Sequence, residues 1–62
     1  MKILQITNEQ AHQIIKTRKP IGLFYTKEKD VFVGIDNSSE NAWTEEFFHL
    51  EDCLQWLQRK EV

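Results

Sequence analysis

His49 and Cys53 are the two residues of this chain most able to do covalent chemistry, and they stand four apart in "HLEDC". On a helix that spacing places both side chains on one face, close enough for an imidazole to take a proton from a thiol. A nucleophilic pair also needs a third orienting group and donors for an oxyanion, and no residue pattern in the chain supplies either. The reading favoured by composition is a small core cysteine with a histidine near a helix start. No catalytic residues are assigned, and the chain is expected not to be an enzyme.

Two other stretches invite binding chemistry. "DNSSENAWTEEF", which begins at Asp36, has the opening acid of a calcium loop. It lacks glycine at the sixth position and carries Phe47 where the bidentate glutamate belongs, so neither a metal nor any other cofactor is expected. "KTRK", residues 16–19, could touch phosphates, but no glycine-rich loop accompanies it. Tyr25 and Phe32 on one sheet face have the character of a platform that stacks single-stranded bases, yet Glu45 and Glu46 lie on the adjoining segment where such platforms are framed by positive charge. A small nucleic-acid-associated regulator is therefore the second choice.

The residues left over are aromatic. Trp43 and Trp56, with Tyr25 and Phe32, form the candidate partner-binding set, since tryptophan and tyrosine dominate binding hot spots. Glu45 joins them as an orienting carboxylate. The competing account is packing at the margin of a small core.

These residues must be positioned by very little structure. A chain of 62 residues is one domain, 1–62, that buries only about 60% of its unfolded surface. Its stability is on the order of 3–9 kcal/mol. Apolar residues make up 40% and charged residues 29%, a globular composition. The single cysteine excludes an internal disulfide and suits a reducing cytoplasm, which is the expected location. No apolar run is long enough to span a membrane, and "MKILQITNEQ" turns polar too soon for a signal peptide.

Charge is unevenly placed although the net is only −2. Residues 1–30 hold six lysines and arginines against three carboxylates, a balance of +3, and residues 31–62 hold two against seven, a balance of −5. Mutual neutralisation across a compact fold is the plain account. An acidic surface that meets a basic partner is the sharper one.

The pattern of elements follows. "MKILQIT" reads as a short strand. Thr7 caps a helix of roughly 8–18, with Gln10 completing a capping box and Ala11, Ile14 and Ile15 as its stripe, and Pro20 stops it. "IGLFYT" and "VFVGID" are strands around a turn at Glu28 and Lys29, with Thr26 opposite Val31 and Phe24 opposite Val33. That pairing gives a sheet with two apolar faces, which helices or a second chain must cover. "AWTEEFF" is the third strand of this run. A four-residue loop, Asn37 to Glu40, sets Trp43 over Gly34 and leaves Glu45 partly exposed, whereas a five-residue loop would force Glu45 into the apolar face. The four-residue loop is preferred.

Leu50, Cys53, Leu54 and Leu57 keep the spacing of an amphipathic helix, with Glu51 and Asp52 at its start and Arg59 and Lys60 at its end. The expected fold is α+β, a three-stranded antiparallel β-meander with two helices in the order β-α-β-β-β-α, and with the N-terminal strand as a candidate edge.

The segment "GLFY", "VGIDN" with its small polar turn, "AWTEEF" and the closing "CLQWL", over residues 20–57, resembles short uncharacterised accessory proteins of phages and prophages of Gram-positive bacteria. The resemblance implies an origin in a mobile element and carries no activity or functional residue. Together these readings point to a small protein-binding accessory protein. It would act on a host or phage protein whose identity no residue pattern names, or as a homodimer.

Overall fold

The computed structural model describes residues 2–59. The elements are β1 (Ile3–Gln5), α1 (Asn8–Thr17), β2 (Gly22–Glu28), β3 (Val31–Asn37), β4 (Trp43–Phe47) and α2 (Leu50–Gln58), the expected α+β order. The three-stranded meander is β2-β3-β4, and β1 adds a fourth strand, so the sheet is mixed in the order β1-β2-β3-β4. β1 runs parallel to β2, with Ile3 beside Leu23 and Gln5 beside Tyr25. A parallel pair cannot close through a tight turn. α1 supplies the crossover.

α1 begins as the capping-box spacing predicts. Gln10 N–H donates to Thr7 Oγ1 (3.1 Å) and Thr7 N–H donates to Gln10 Oε1 (2.9 Å), which satisfies two backbone donors at the helix start. It ends at Thr17, with Arg18 in the left-handed region (φ 63°) and Arg18 N–H donating to Ile14 O. Ala11 and Ile14 are buried, but Ile15, expected in the same stripe, is exposed. The helix meets the sheet along β2 and needs only a narrow face to do so.

Both hairpins keep the expected side of the sheet for every residue, and both pair two residues away from the expected register. The first turn is Lys29–Asp30, not Glu28–Lys29, with Lys29 left-handed (φ 58°). Phe24 therefore pairs with Ile35, and Thr26 with Val33. The physical gain is that two bulky apolar side chains of one face come together under α1. In the second hairpin Asp36 pairs with Trp43, Gly34 with Glu45 and Val33 with Glu46. Its loop also begins one residue later than expected, because Asp36 Oδ1 accepts hydrogen bonds from Ser38 N–H (3.2 Å) and Ser38 Oγ (2.7 Å). A shift of two preserves the alternation of faces. The expected four-residue loop is not formed: residues 38–42, five in all, join β3 to β4, and it is the two-residue shift in pairing that keeps Glu45 on the α2 side, where it is exposed.

Each sheet face carries one helix and one small core. On the first face Ala11, Ile14, Phe24 and Ile35 pack together with Ile6 at the margin. Thr26, buried on the same face, donates from Oγ1 to Asn8 Oδ1 at 2.7 Å. On the second face Leu23, Cys53 and Leu57 form the centre, and Ile3, Tyr25, Phe32, Phe47 and Trp56 surround it. The centre of α2 is thus Cys53 and Leu57, while Leu50 and Leu54 of the expected stripe are half-buried. Arg59 caps the helix, and Lys60 lies outside the described residues. Among the described residues no helix is long and apolar enough to cross a membrane.

Candidate functional site

β4 lies at the edge of the sheet. Its inner side pairs with β3, and among the described residues no strand pairs with its outer side. Trp43, Thr44, Glu45 and Glu46 are all exposed, and only Phe47 tucks in, its ring 5.8 Å from that of Trp56. Trp43 is 56% exposed at one end of the strand, and Phe48 is 76% exposed just past the other. Trp43, Glu45 and Phe47 share the α2 side, and Thr44 and Glu46 share the α1 side.

The start of β4 is fastened by groups remote in sequence. Arg18 donates from Nη1 to the carbonyls of Glu40 and Asn41, both at 3.1 Å, and from Nε to Ile15 O at 3.1 Å. The loop it grips bends through two left-handed residues, Glu40 (φ 65°) and Ala42 (φ 50°). At its other end the loop is held by the Asp36–Ser38 bonds. Asp36 itself is fully buried, with Oδ2 3.6 Å from Arg59 Nη1. The acid that opens the apparent calcium loop therefore turns inward, towards its own backbone turn and an arginine. Arg18, the centre of the basic "KTRK" cluster, spends its guanidinium on carbonyls.

The five expected partner-binding residues separate into two groups. Tyr25, Phe32 and Trp56 are half-buried in the cluster beneath α2. Trp43 and Glu45 stand outside it on β4. Trp43 does not lie over Gly34, as the expected register implied. That place belongs to Trp56: a Cβ at Gly34 would fall 3.1 Å from Cys53 Sγ and 3.1 Å from the Trp56 ring. The absent side chain lets α2 approach the sheet, and the indole covers the bare backbone from above instead of from the neighbouring strand. Arg59 stacks on the outer face of that ring, 4.2 Å from its centroid.

No family model, curated protein or solved structure matches this chain.

Two exposed residues of the site escaped the sequence reading. Glu46 and Phe48 border a shallow depression with Val31 and the Glu28–Asp30 turn. The signal for Phe48 was present: adjacent aromatics at a strand end point to opposite faces, so burying Phe47 under α2 leaves Phe48 on the side where α1 does not reach. A second concavity of about 320 Å³, between β1 and α1, is lined by Leu4, Ile6, Ile14, Pro20 and Phe24 with Lys19 at its rim. Its lining is mostly apolar, with the Gln10 and Gln13 side chains as its other polar groups.

His49 and Cys53 do not form a reactive pair. His49 is exposed and serves as the backbone N-cap of α2 without a side-chain cap bond. Cys53 is fully buried, and desolvation pushes its thiol up to about 11 from an ordinary 9.0. At neutral pH the thiolate, the form that attacks, is present at roughly one part in ten thousand. The same shift predicts an alkaline weakness. A thiol that holds its proton longer when folded contributes stability below pH 9 and loses it as pH rises from about 9 to about 11. The loss is on the order of 2 kcal/mol. Urea titrations across that range should show a fall in stability that Cys53→Ala, weaker at neutral pH, lacks by about this amount.

Proposed function

We propose that this chain is a small, non-enzymatic protein-binding protein, an accessory factor of the phage or prophage kind that works in the cytoplasm, and that it engages its partner through β4 and the aromatic residues at the ends of that strand. The observation that carries this reading is the exposure of β4 on both faces and along its outer edge, with Trp43 more than half exposed beside Glu45. Every other strand long enough to offer a full ladder is already paired on both sides. The loop that leads into β4 is held at both ends, so little ordering remains to be done on binding.

The nucleic-acid reading draws less support. Tyr25 and Phe32 are half-buried against α2, and Lys27 Nζ lies 5.6 Å from the Phe32 centroid, so the pair does not present the open aromatic platform on which successive bases stack. The strand beside them adds carboxylates, not lysines.

The test pairs two variants on quantitative capture of partner and on molar mass by light scattering. Trp43→Ala should stay folded and weaken association, with a partner or between copies, by more than about 1 kcal/mol, the usual mark of an anchoring residue. Glu45→Lys should also stay folded, since its side chain is exposed. Wild-type association by both folded variants would remove β4 as the binding element, and unfolding of Glu45→Lys would contradict an exposed carboxylate.

A further inference from the structure

We propose that the outer edge of β4 takes up an extended, lysine- or arginine-rich segment of another protein as a fifth strand of the sheet. This rests on the protein-binding reading above and assigns its partner a chemistry. Strand addition draws affinity from main-chain hydrogen bonds and specificity from alternate side chains. β4 offers both. It provides a five-residue edge, against three residues at the opposite edge in β1.

The side chains on that edge select for cations. Glu45 stands on the α2 side and Glu46 on the α1 side, so an incoming strand meets a carboxylate whichever face its basic residues occupy. The segment that carries them is one-signed. Residues 40–52 contain Glu40, Glu45, Glu46, Glu51 and Asp52 and no lysine or arginine. Among the described residues the nearby cations of other elements are engaged or offset: Arg18 is bound to the Glu40 and Asn41 carbonyls, Arg59 lies 3.6 Å from Asp36, Lys27 lies over the Phe32 ring, and Lys29 sits between Glu28 and Asp30 in the first turn. Trp43 adds an exposed indole on which an arginine or lysine can rest.

The same charges argue against a second copy as the occupant. Two β4 strands paired antiparallel over their full length would place Glu45 opposite Glu45 of the other copy, with both Glu46 carboxylates one pair away. Like charges directly opposed destabilise a ladder. Any shift that separates them gives up paired residues. Pairing β4 with β1 of the next copy yields three residues at most, through a head-to-tail contact that builds rings or filaments and not a two-fold pair.

The test uses the full chain, labelled with nitrogen-15, and a synthetic peptide of alternating lysine and threonine about eight residues long, an ordinary strand length. Two control peptides carry glutamate in place of lysine, or N-methyl groups on alternate backbone nitrogens. The lysine peptide should shift the amide resonances of residues 43–47 and slow their hydrogen exchange, with an affinity that falls between about 50 mM and about 500 mM salt. N-methylation should weaken it at least about tenfold, as should Glu45→Gln combined with Glu46→Gln, a pair chosen to keep size and fold. The glutamate peptide should leave these amides unmoved.

Absence of a response at 43–47 to the lysine peptide, or an equal response to the glutamate peptide, overturns the proposal and leaves the two glutamates as guards against edge pairing. A response indifferent to N-methylation overturns it too, since that is adhesion by charge alone. So does concentration-dependent pairing of two copies through β4. If the peptide fails while Trp43→Ala still weakens partner capture, strand addition falls and the protein-binding reading stands.

Discussion

Leu57→Asp is expected to abolish cooperative unfolding, leaving a chain without a thermal transition. Leu57 is fully buried at the centre of the α2 core, beside Leu23 and Cys53. The substitution removes about 2 kcal/mol of apolar burial and sets an unpaired carboxylate where no water reaches it, at a further cost of several kcal/mol. The sum matches or exceeds the whole stability of a domain this size, on the order of 3–9 kcal/mol. Leu54→Asp is the informative companion. It sits three residues away on a half-buried position, where the carboxylate can turn to solvent, so that variant should melt at a lower temperature and still cooperatively. Circular dichroism against temperature separates the two. Equal behaviour would mean that α2 docks along a different stripe.

The second large effect is expected at Ile35. Ile35→Ala should cost about 2–5 kcal/mol in urea titrations, because the residue is fully buried between Phe24 and Ile14 and the cavity cannot easily collapse onto a sheet backbone. Val33→Ala, one position along the same face but half-buried opposite Thr26, should cost less than half as much. The contrast reports the register directly. With the first turn at Glu28 and Lys29, Val33 would sit beside Phe24 and Ile35 would drift to the margin, and the two costs would exchange order.

That register marks the boundary of what the residues disclosed by themselves. Alternation in "GLFYT" and "VFVGI" decides which side of the sheet each side chain occupies, because burial is penalised face by face. It does not distinguish two pairings that differ by two residues, since both satisfy it. The choice falls to events that alternation cannot express: Lys29 accepting a left-handed backbone, Asp36 closing a turn on Ser38, Arg18 reaching across more than twenty residues to two loop carbonyls. The order of elements and the capping box at Thr7 were legible because they depend on neighbours in the chain. The parallel pairing of β1 was not, since its partner is set by where α1 returns the chain.

The binding surface divides along the same line. Glu45 was readable as exposed from the face that alternation gives it, whereas the exposure of Trp43 was not, since the expected register laid its indole over Gly34. Tyr25, Phe32 and Trp56 carry the same residue types and became core margin, because glycine at position 34 lets α2 come close enough to cover them. An aromatic on a sheet announces that something will pack on it. Whether that is the protein's own helix or another molecule depends on the residue across from it.

The placement of α2 also sets a clock on biosynthesis. The helix that covers the second face follows every strand of the sheet in the chain. At synthesis rates of about 5–20 residues per second, the eleven residues from the end of β4 to the end of α2 take roughly half a second to two seconds to appear. Until α2 has formed and docked, Leu23, Tyr25, Phe32 and Phe47 have no helix above them. A chain whose strands come together before α2 docks thus has a sticky stage, and that stage is where holdase chaperones or neighbouring chains can adhere to it.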